Sequence, residues 1–243
     1  MNKNKVSVVI PTFNERGNAG RLVSRLLYLG KKHLMDVDVL VVDDDSRDKT
    51  GEHLKRKFKS NRRVKVLIRK NERGLSTAIL HGIKKSRGNI IVGMDADFNH
   101  DPDLLPTLVK NLNNSELAVA SRLAKGGGMQ DLARIFPTYV FNSFLKWALS
   151  FPTMDNMSGY YAIRRRHLFA LPLEQIYRGY GEYHLRLLYL AKKAGLRIAE
   201  IPYYSPLRTR GKSKSKLVKM FVDYLRVAFR LCFDKEIKGV GSY

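Results

Sequence analysis

Hydrophobic and polar positions in the first half of the chain follow two alternating periods. Short apolar, β-branched runs read as buried strands: Val6 to Pro11, Val37 to Val42, Val64 to Ile68, Ile90 to Met94 and Leu117 to Ala120. Between them, apolar residues recur at helical spacing over Asn18 to Leu29, with Asn18 as the expected cap, over Leu75 to Lys85 and over Pro102 to about Leu112. A basic helix is expected after the turn Ser46 to Gly51, ending near Phe58. Strands separated by single helices predict an α/β fold: a mostly parallel sheet with helices on both faces.

After Arg122 the rhythm breaks. Ala124 to Met129 (AKGGGM) reads as a loop and lid, and Leu132 to Leu149 as a helix rich in apolar residues. Ser158 to Ile163 and Leu196 to Ile201 read as strands around a helix over Tyr183 to Ala194. A basic loop, Arg208 to Lys216, precedes a last helix, Leu217 to Phe233. In that helix the charged residues Lys219, Asp223, Arg226 and Arg230 fall within an arc of roughly 60° at 100° per residue. Such a helix is either buried on most sides or lies in a lipid interface. The expected division is one α/β domain over 1–215 and an amphipathic, membrane-surface element over 216–243.

Composition changes this picture in two ways. The 45 Lys plus Arg against 22 Asp plus Glu, a formal charge of +23, call for an anionic partner: nucleic acid, an acidic lipid surface or phosphorylated substrates. The single Cys232 excludes a disulfide framework within the chain and points to a reducing compartment. No run of about 18 uncharged apolar residues exists, so no membrane-spanning segment is predicted. A cytoplasmic, peripherally membrane-associated protein is expected.

The candidate chemistry sits at strand ends. Asn89 to Asp103 (NIIVGMDADFNHDPD) is a strand followed by five acidic or amide side chains in nine residues. In an extended chain Asp95 and Asp97 would share one face, about 7 Å apart in backbone rise. Such a pair suits a hard divalent cation that also takes phosphate oxygens and water. Asp101 followed by Pro102 is accounted for as a helix start. Pro11 to Glu15 and Val41 to Asp44 end the first two strands on the same edge, where ligands bind in open α/β sheets. The histidines His81, His100, His167 and His184 show no metal-ligand spacing and read as structural or surface residues. Arg164 to Arg166 reads as a solvated or lipid-facing patch. The three glycines before Met129 lack a following GK[ST], so no P-loop is predicted.

Several segments together resemble the inverting nucleotide-sugar glycosyltransferases of the GT-A fold, and within them the dolichyl-phosphate mannose synthases. These are PTFNE (11–15), VVDDDSRDKT (41–50), NERGLSTAILHGIKKSRGNIIVGMDADFNHDP (71–102), ASR (120–122), DNMSGYYAIRR (155–165) and RTRGKSK (208–214). The resemblance implies that Pro11, Phe13, Glu15, Val41 and Asp43 hold the donor nucleoside. It implies that Asp95, Ala96 and Asp97 meet the diphosphate, with Asp95, Asp97 and Asn99 holding Mg²⁺ or Mn²⁺. Arg122, Arg208 and Lys214 match basic residues that contact donor or acceptor phosphates, and Arg134 is a fourth candidate. Asp97, Arg122 and Arg208 are the expected catalytic residues.

Three positions depart from the family pattern: Asn99 stands where Gln is common, Asp45 where Gly is usual, and Tyr161 where Arg often follows. The resulting expectation is transfer of a hexose, mannose from GDP-mannose, to a polyprenyl phosphate at an anionic membrane surface. The alternatives are another donor such as UDP-glucose, a hydroxyl acceptor or, in a different class, nucleic-acid binding. Against the last, an acidic rim would repel a phosphate backbone, and no aromatic-interleaved RNA motif is present.

Overall fold

The computed structural model describes residues 4–206 and 217–233. Its strands are β1 (Lys5–Thr12), β2 (Asp36–Asp43), β3 (Val64–Ile68), β4 (Ile90–Gly93), β5 (Leu117–Ser121), β6 (Gly128–Met129), β7 (Tyr161–Arg164), β8 (Ile198–Pro202) and β9 (Tyr204–Ser205). The helices are α1 (Ala19–Lys32), α2 (Thr50–Lys57), α3 (Leu75–Lys85), α4 (Leu105–Asn111), α5 (Leu132–Leu149), α6 (Arg165–Phe169), α7 (Leu173–Ile176), α8 (Tyr183–Lys193) and α9 (Leu217–Cys232). Seven strands form one sheet in the order β3-β2-β1-β4-β7-β5-β8. The chain leaves β1 towards β2 and β3, then returns to β4 on the other side of β1. That reversal opens a crevice at the carboxyl ends of β1 and β4.

Alternation along the strands builds two cores. Val8, Ile10, Val39, Val41, Val92 and Ala118 pack with Leu22, Leu26, Leu54 and Leu108 from α1, α2 and α4. Val9, Ile91, Val119, Tyr161 and Ile163 face α3, α5, α8 and α9. The last helix joins this second core through Tyr224, Val227, Ala228 and Leu231, with the Tyr224 ring edge-on to Phe141 of α5 at 6.1 Å. One face of α9 is therefore core, and Val222, Leu225 and Phe229 stay exposed on its other side.

The sheet is mostly parallel, as expected, and β7 is the strand that runs antiparallel, between β4 and β5. β7 enters from the excursion through α5 and not from a single crossover helix. Gly93 is what admits it: a Cβ there would lie 2.6 Å from the ring of Tyr161, its partner in register. Asn18 begins α1 but makes no side-chain cap; its amide donates to Glu15 instead, at 3.0 Å. Pro102–Leu104 is a 3-10 turn before α4, capped by Asp101 through the Asp103 N–H.

The arginine run is only partly solvated. Arg164 donates to the Leu112 carbonyl after α4, and Arg165 to the Ser86 carbonyl after α3, so both satisfy helix C-terminal ends. The GGG segment is not a free loop. Gly128–Met129 pairs with Tyr204–Ser205 in a small parallel ribbon.

Candidate active site

The crevice is a cavity of about 660 Å³ whose wall includes Pro11, Thr12, Phe13, Glu15, Asp44, Asp95, Ala96, Asp97, Asn99, His100 and Arg122. Three strand-end turns form it, and each contains a non-glycine residue in the left-handed region: Asn14 (φ 55°), Asp45 (φ 54°) and Phe98 (φ 65°). Asp45 thus occupies a conformation that glycine adopts without strain and that Asp tolerates better than most residues. That backbone requirement explains why Asp is acceptable at a position where the resembling family has Gly. Phe98 is the strained case, since bulky residues avoid this region, and it lies in the turn carrying the acidic pair.

At the end of β1, the Glu15 N–H donates to Thr50 Oγ1 at 3.0 Å and the Glu15 carboxylate accepts from Asn18. Arg73 lies over the Phe13 ring, 5.6 Å from its centroid. The Arg73 segment is anchored by Asp44, which accepts from Arg69 Nε at 2.7 Å and from the Gly74 N–H at 2.8 Å. Asp43, by contrast, is fully buried. It accepts from Thr12 Oγ1 (2.9 Å), the Ser46 N–H (3.0 Å) and Ser46 Oγ (2.5 Å), so it braces β1 against β2 beneath the cavity. Val41 is likewise a core residue below the wall.

The acidic turn is not the extended strand end expected from sequence. β4 stops at Gly93, and the chain bends through Ala96 to His100. Asp97 accepts from the Asn99 N–H and the Asn99 side-chain amide, both at 3.1 Å. Asn99 therefore steadies the Asp97 carboxylate while keeping its own carbonyl oxygen. Ser205 Oγ donates to the Asn99 backbone carbonyl at 3.1 Å and ties the turn to β9. Both carboxylates still line the cavity, as does Asn99.

On the same wall, Arg122 forms a two-pronged pair with Asp155, Nε to Oδ2 at 2.6 Å and Nη2 to Oδ1 at 2.9 Å. Asp155, with no exposed surface, also accepts from the Arg122 and Met157 N–H groups. Burial alone would raise the Asp155 pKa, but the charge and hydrogen bonds of Arg122 outweigh it and hold the carboxyl below its ordinary range. Burial likewise opposes the Arg122 charge, and Asp155 more than restores it. Asp155 is thus the anchor of Arg122 and is not available to a substrate.

His100 has both ring nitrogens bonded inside the cavity wall, which gives it a place in the site that its spacing did not suggest. Arg73, Gly74, Leu75, Met129, Asp131, Met157, Ser158, Tyr180 and Tyr203 also line the cavity and were not singled out as site residues from sequence. The only signal for the first three was the NERGL segment itself. Arg208 and Lys214 lie outside the described residues, as does the side chain of Arg134.

The sequence and fold have relatives. Residues 7–170 match the model of glycosyl transferase family 2. Dolichol-phosphate mannosyltransferase of Pyrococcus furiosus is 33% identical over 98% of this chain and 67% of its own length. Undecaprenyl-phosphate mannosyltransferase of Micrococcus luteus is 32% identical over 86% of this chain and 87% of its own. Glucosyl-3-phosphoglycerate synthase from Mycobacterium tuberculosis, crystallised with Mn²⁺, UDP and glucosyl-3-phosphoglycerate, superposes with a TM-score of 0.71 at 21% identity, covering 98% of this chain and 82% of that one. The family match takes in nearly all of β1, all of β2 and β4, and the acidic turn after β4, so most of the cavity wall lies within the shared region, and the chain belongs to glycosyl transferase family 2 as a glycosyltransferase of GT-A architecture.

Proposed function

We propose that the enzyme transfers mannose from GDP-mannose to a polyprenyl phosphate, with inversion, at a membrane surface. The supporting relatives are named for mannosyl transfer to dolichol phosphate and undecaprenyl phosphate. The observation that carries the reading is one cavity holding Asp95 and Asp97 together with Arg122, whose companion carboxylate Asp155 is sealed off.

Asp95, Asp97 and the Asn99 carbonyl oxygen form a hard-oxygen set that suits Mg²⁺ or Mn²⁺. Among the described residues no group of three His, Cys, Asp or Glu makes a complete cage. A partial set is what a cation shared with a diphosphate needs. With the ion bound, the site gains a Lewis acid that offsets charge on the leaving diphosphate. Pro11, Phe13 and Glu15, with Arg73 over Phe13, form the nucleoside wall.

An acceptor phosphate oxygen attacks the anomeric carbon as the bond to the diphosphate oxygen breaks, and GDP departs. A phosphate monoester, with a second pKa of about 6, is mostly dianionic at pH 7 and needs no base. Arg122 meets Asp155 through Nε and Nη2, and its Nη1 would meet the acceptor phosphate. Because Asp155 balances the Arg122 charge, the net positive charge that faces the acceptor phosphate is assigned to Arg134, Arg208 and Lys214.

The lipid needs a surface, and α5 with α9 offers one. Phe136 (74% exposed), Tyr139, Val140, Phe144 and Trp147 (82%) form a stripe along α5. Val222, Leu225, Phe229 and Phe233 continue the exposed apolar surface along α9, which packs on α5. Aromatic and aliphatic exposure on this scale suits an acyl-chain boundary. No helix of the described residues is long and apolar enough to cross a membrane.

A second reading, transfer to a hydroxyl, is favoured by one observation: Asp131 lines the cavity and could serve as base. The test pairs polyprenyl phosphate with the free polyprenol, each with labelled GDP-mannose or UDP-glucose and Mn²⁺. Transfer from GDP-mannose to the phosphate alone is expected. Transfer to the alcohol that disappears in Asp131→Asn would replace this reading with the second.

A further inference from the structure

We propose that His100 is a positioning residue that locks the Asp95 backbone to the segment anchoring Arg122, and so sets the donor and acceptor halves of the cavity at a fixed separation. The inference rests on the reading of Asp95 and Asp97 as the metal and diphosphate site.

The geometry is specific at each step. The Asp95 N–H donates to His100 Nδ1 at 2.9 Å, and His100 Nε2 lies 2.8 Å from the Ser158 carbonyl oxygen. A backbone N–H can only donate and a carbonyl can only accept, so both partners demand the same tautomer, with its proton on Nε2. The ring is 3% exposed and stacks on Tyr160 at 5.0 Å, 14° from parallel, so it cannot swing away without opening the core. Ser158 lies three residues beyond Asp155, the partner of Arg122. Its neighbour Gly159 is held in turn by Tyr183, whose hydroxyl donates to the Gly159 carbonyl at 3.3 Å. One imidazole therefore joins the acidic turn after β4 to the turn before β7, two segments distant in sequence.

His184 shows what a merely space-filling histidine looks like here: it is fully buried, and neither ring nitrogen has a hydrogen-bond partner among the described residues. His100 differs in that both nitrogens are used, and both bonds end on residues of the cavity wall.

Three full-length variants separate the two bonds. In His100→Asn the shorter amide oxygen can still accept from Asp95. In His100→Gln the longer amide nitrogen can still donate to Ser158. His100→Phe keeps the stack on Tyr160 and loses both bonds. Mn²⁺ binding in the presence of GDP, followed by the electron paramagnetic resonance signal of free Mn²⁺, is the primary readout, and the KM for polyprenyl phosphate is the second. Loss of the Asp95 bond in Gln and Phe is expected to weaken Mn²⁺ binding about tenfold or more, the scale for partners that orient metal ligands. His100→Asn should stay within about threefold of the parent by the same reasoning and instead raise the acceptor KM.

Equal Mn²⁺ affinity in folded His100→Asn and His100→Gln would overturn the proposal, and so would parent-like affinity in folded His100→Phe. If His100→Phe fails to fold, the Asn and Gln pair decides alone. Asp97→Asn is the control: if it binds Mn²⁺ and GDP like the parent, the reading of the acidic turn fails, whereas its loss beside unaffected His100 variants refutes only the positioning role.

Discussion

Single residues here carry loads that burial and partners make quantitative. Asp155 is enclosed and paired with Arg122, whose side chain is 20% exposed on the cavity wall, so Asp155→Ala leaves a partly buried cation without that partner. Breaking a fully buried pair costs about 3–5 kcal/mol, and the access of Arg122 to the cavity should bring the loss below that range, which urea unfolding at neutral pH would measure. Asp155→Asn should be milder in stability and should leave mannosyl transfer measurable, because the carboxylate is an anchor and not a base. His184 gives a pH prediction. Burial pushes its pKa down from 6.5 to about 4. Below about pH 6.5 the unfolded chain takes up a proton that the folded protein refuses until about pH 4. Stability should therefore fall as pH drops through that window, by about 3 kcal/mol in total. His184→Phe, which keeps a ring against Tyr161, should flatten the fall in unfolding experiments at pH 7 and pH 4.5.

At the scale of elements, the β4–β7 pair and the α5–α9 pair make distinct demands. β7 can lie against β4 only because Gly93 leaves room for the Tyr161 ring. Gly93→Ala forces a methyl into that contact, and overpacking of this kind costs about 1–3 kcal/mol. A smaller partner, as in Gly93→Ala with Tyr161→Leu, should recover part of it in the same melt. For α5, Trp147 is the only tryptophan in the chain and is 82% exposed. Its fluorescence should shift to shorter wavelength on vesicles containing anionic lipid and be quenched by brominated acyl chains. An unchanged spectrum with bound protein would remove α5 from the interface.

For the whole molecule, the charge of +23 is not spread evenly. Lysines and arginines close the last turns of α1 (Lys31, Lys32), α2 (Lys55, Arg56, Lys57), α3 (Lys84, Lys85) and α8 (Lys192, Lys193), where they complement helix dipoles. The ends of α1, α2 and α3 lie at the edge of the sheet opposite the cavity, because these helices run against the parallel strands. Much of the excess charge thus has a structural use, and the acidic strand ends are left facing the cavity. What remains should still attract anionic membranes at long range. Vesicle co-sedimentation should weaken as salt rises from about 0.05 to 0.5 M, over which the Debye length shrinks several-fold, yet not vanish, because the aromatic stripes are insensitive to screening.

The sequence by itself determined the elements and the chemical cast. Val64 to Ile68, Leu75 to Lys85 and Leu132 to Leu149 form where their periodicity places them, since local spacing of apolar residues is a property of the chain alone. Asp95 and Asp97 were legible as a carboxylate pair at a strand end, and Pro11, Phe13 and Glu15 through the resemblance carried by the PTFNE segment; the fold does bring all five to one cavity. Only the tertiary structure decided that β7 runs antiparallel, that Asp43 and Val41 lie beneath the wall, and that Asp155 belongs to Arg122. It also decided that His100 bridges Asp95 to Ser158. These facts depend on which residues meet across some 31 to 74 positions of chain. That pairing is set by packing and hydrogen-bond satisfaction in three dimensions, and neither leaves a periodic mark in the sequence.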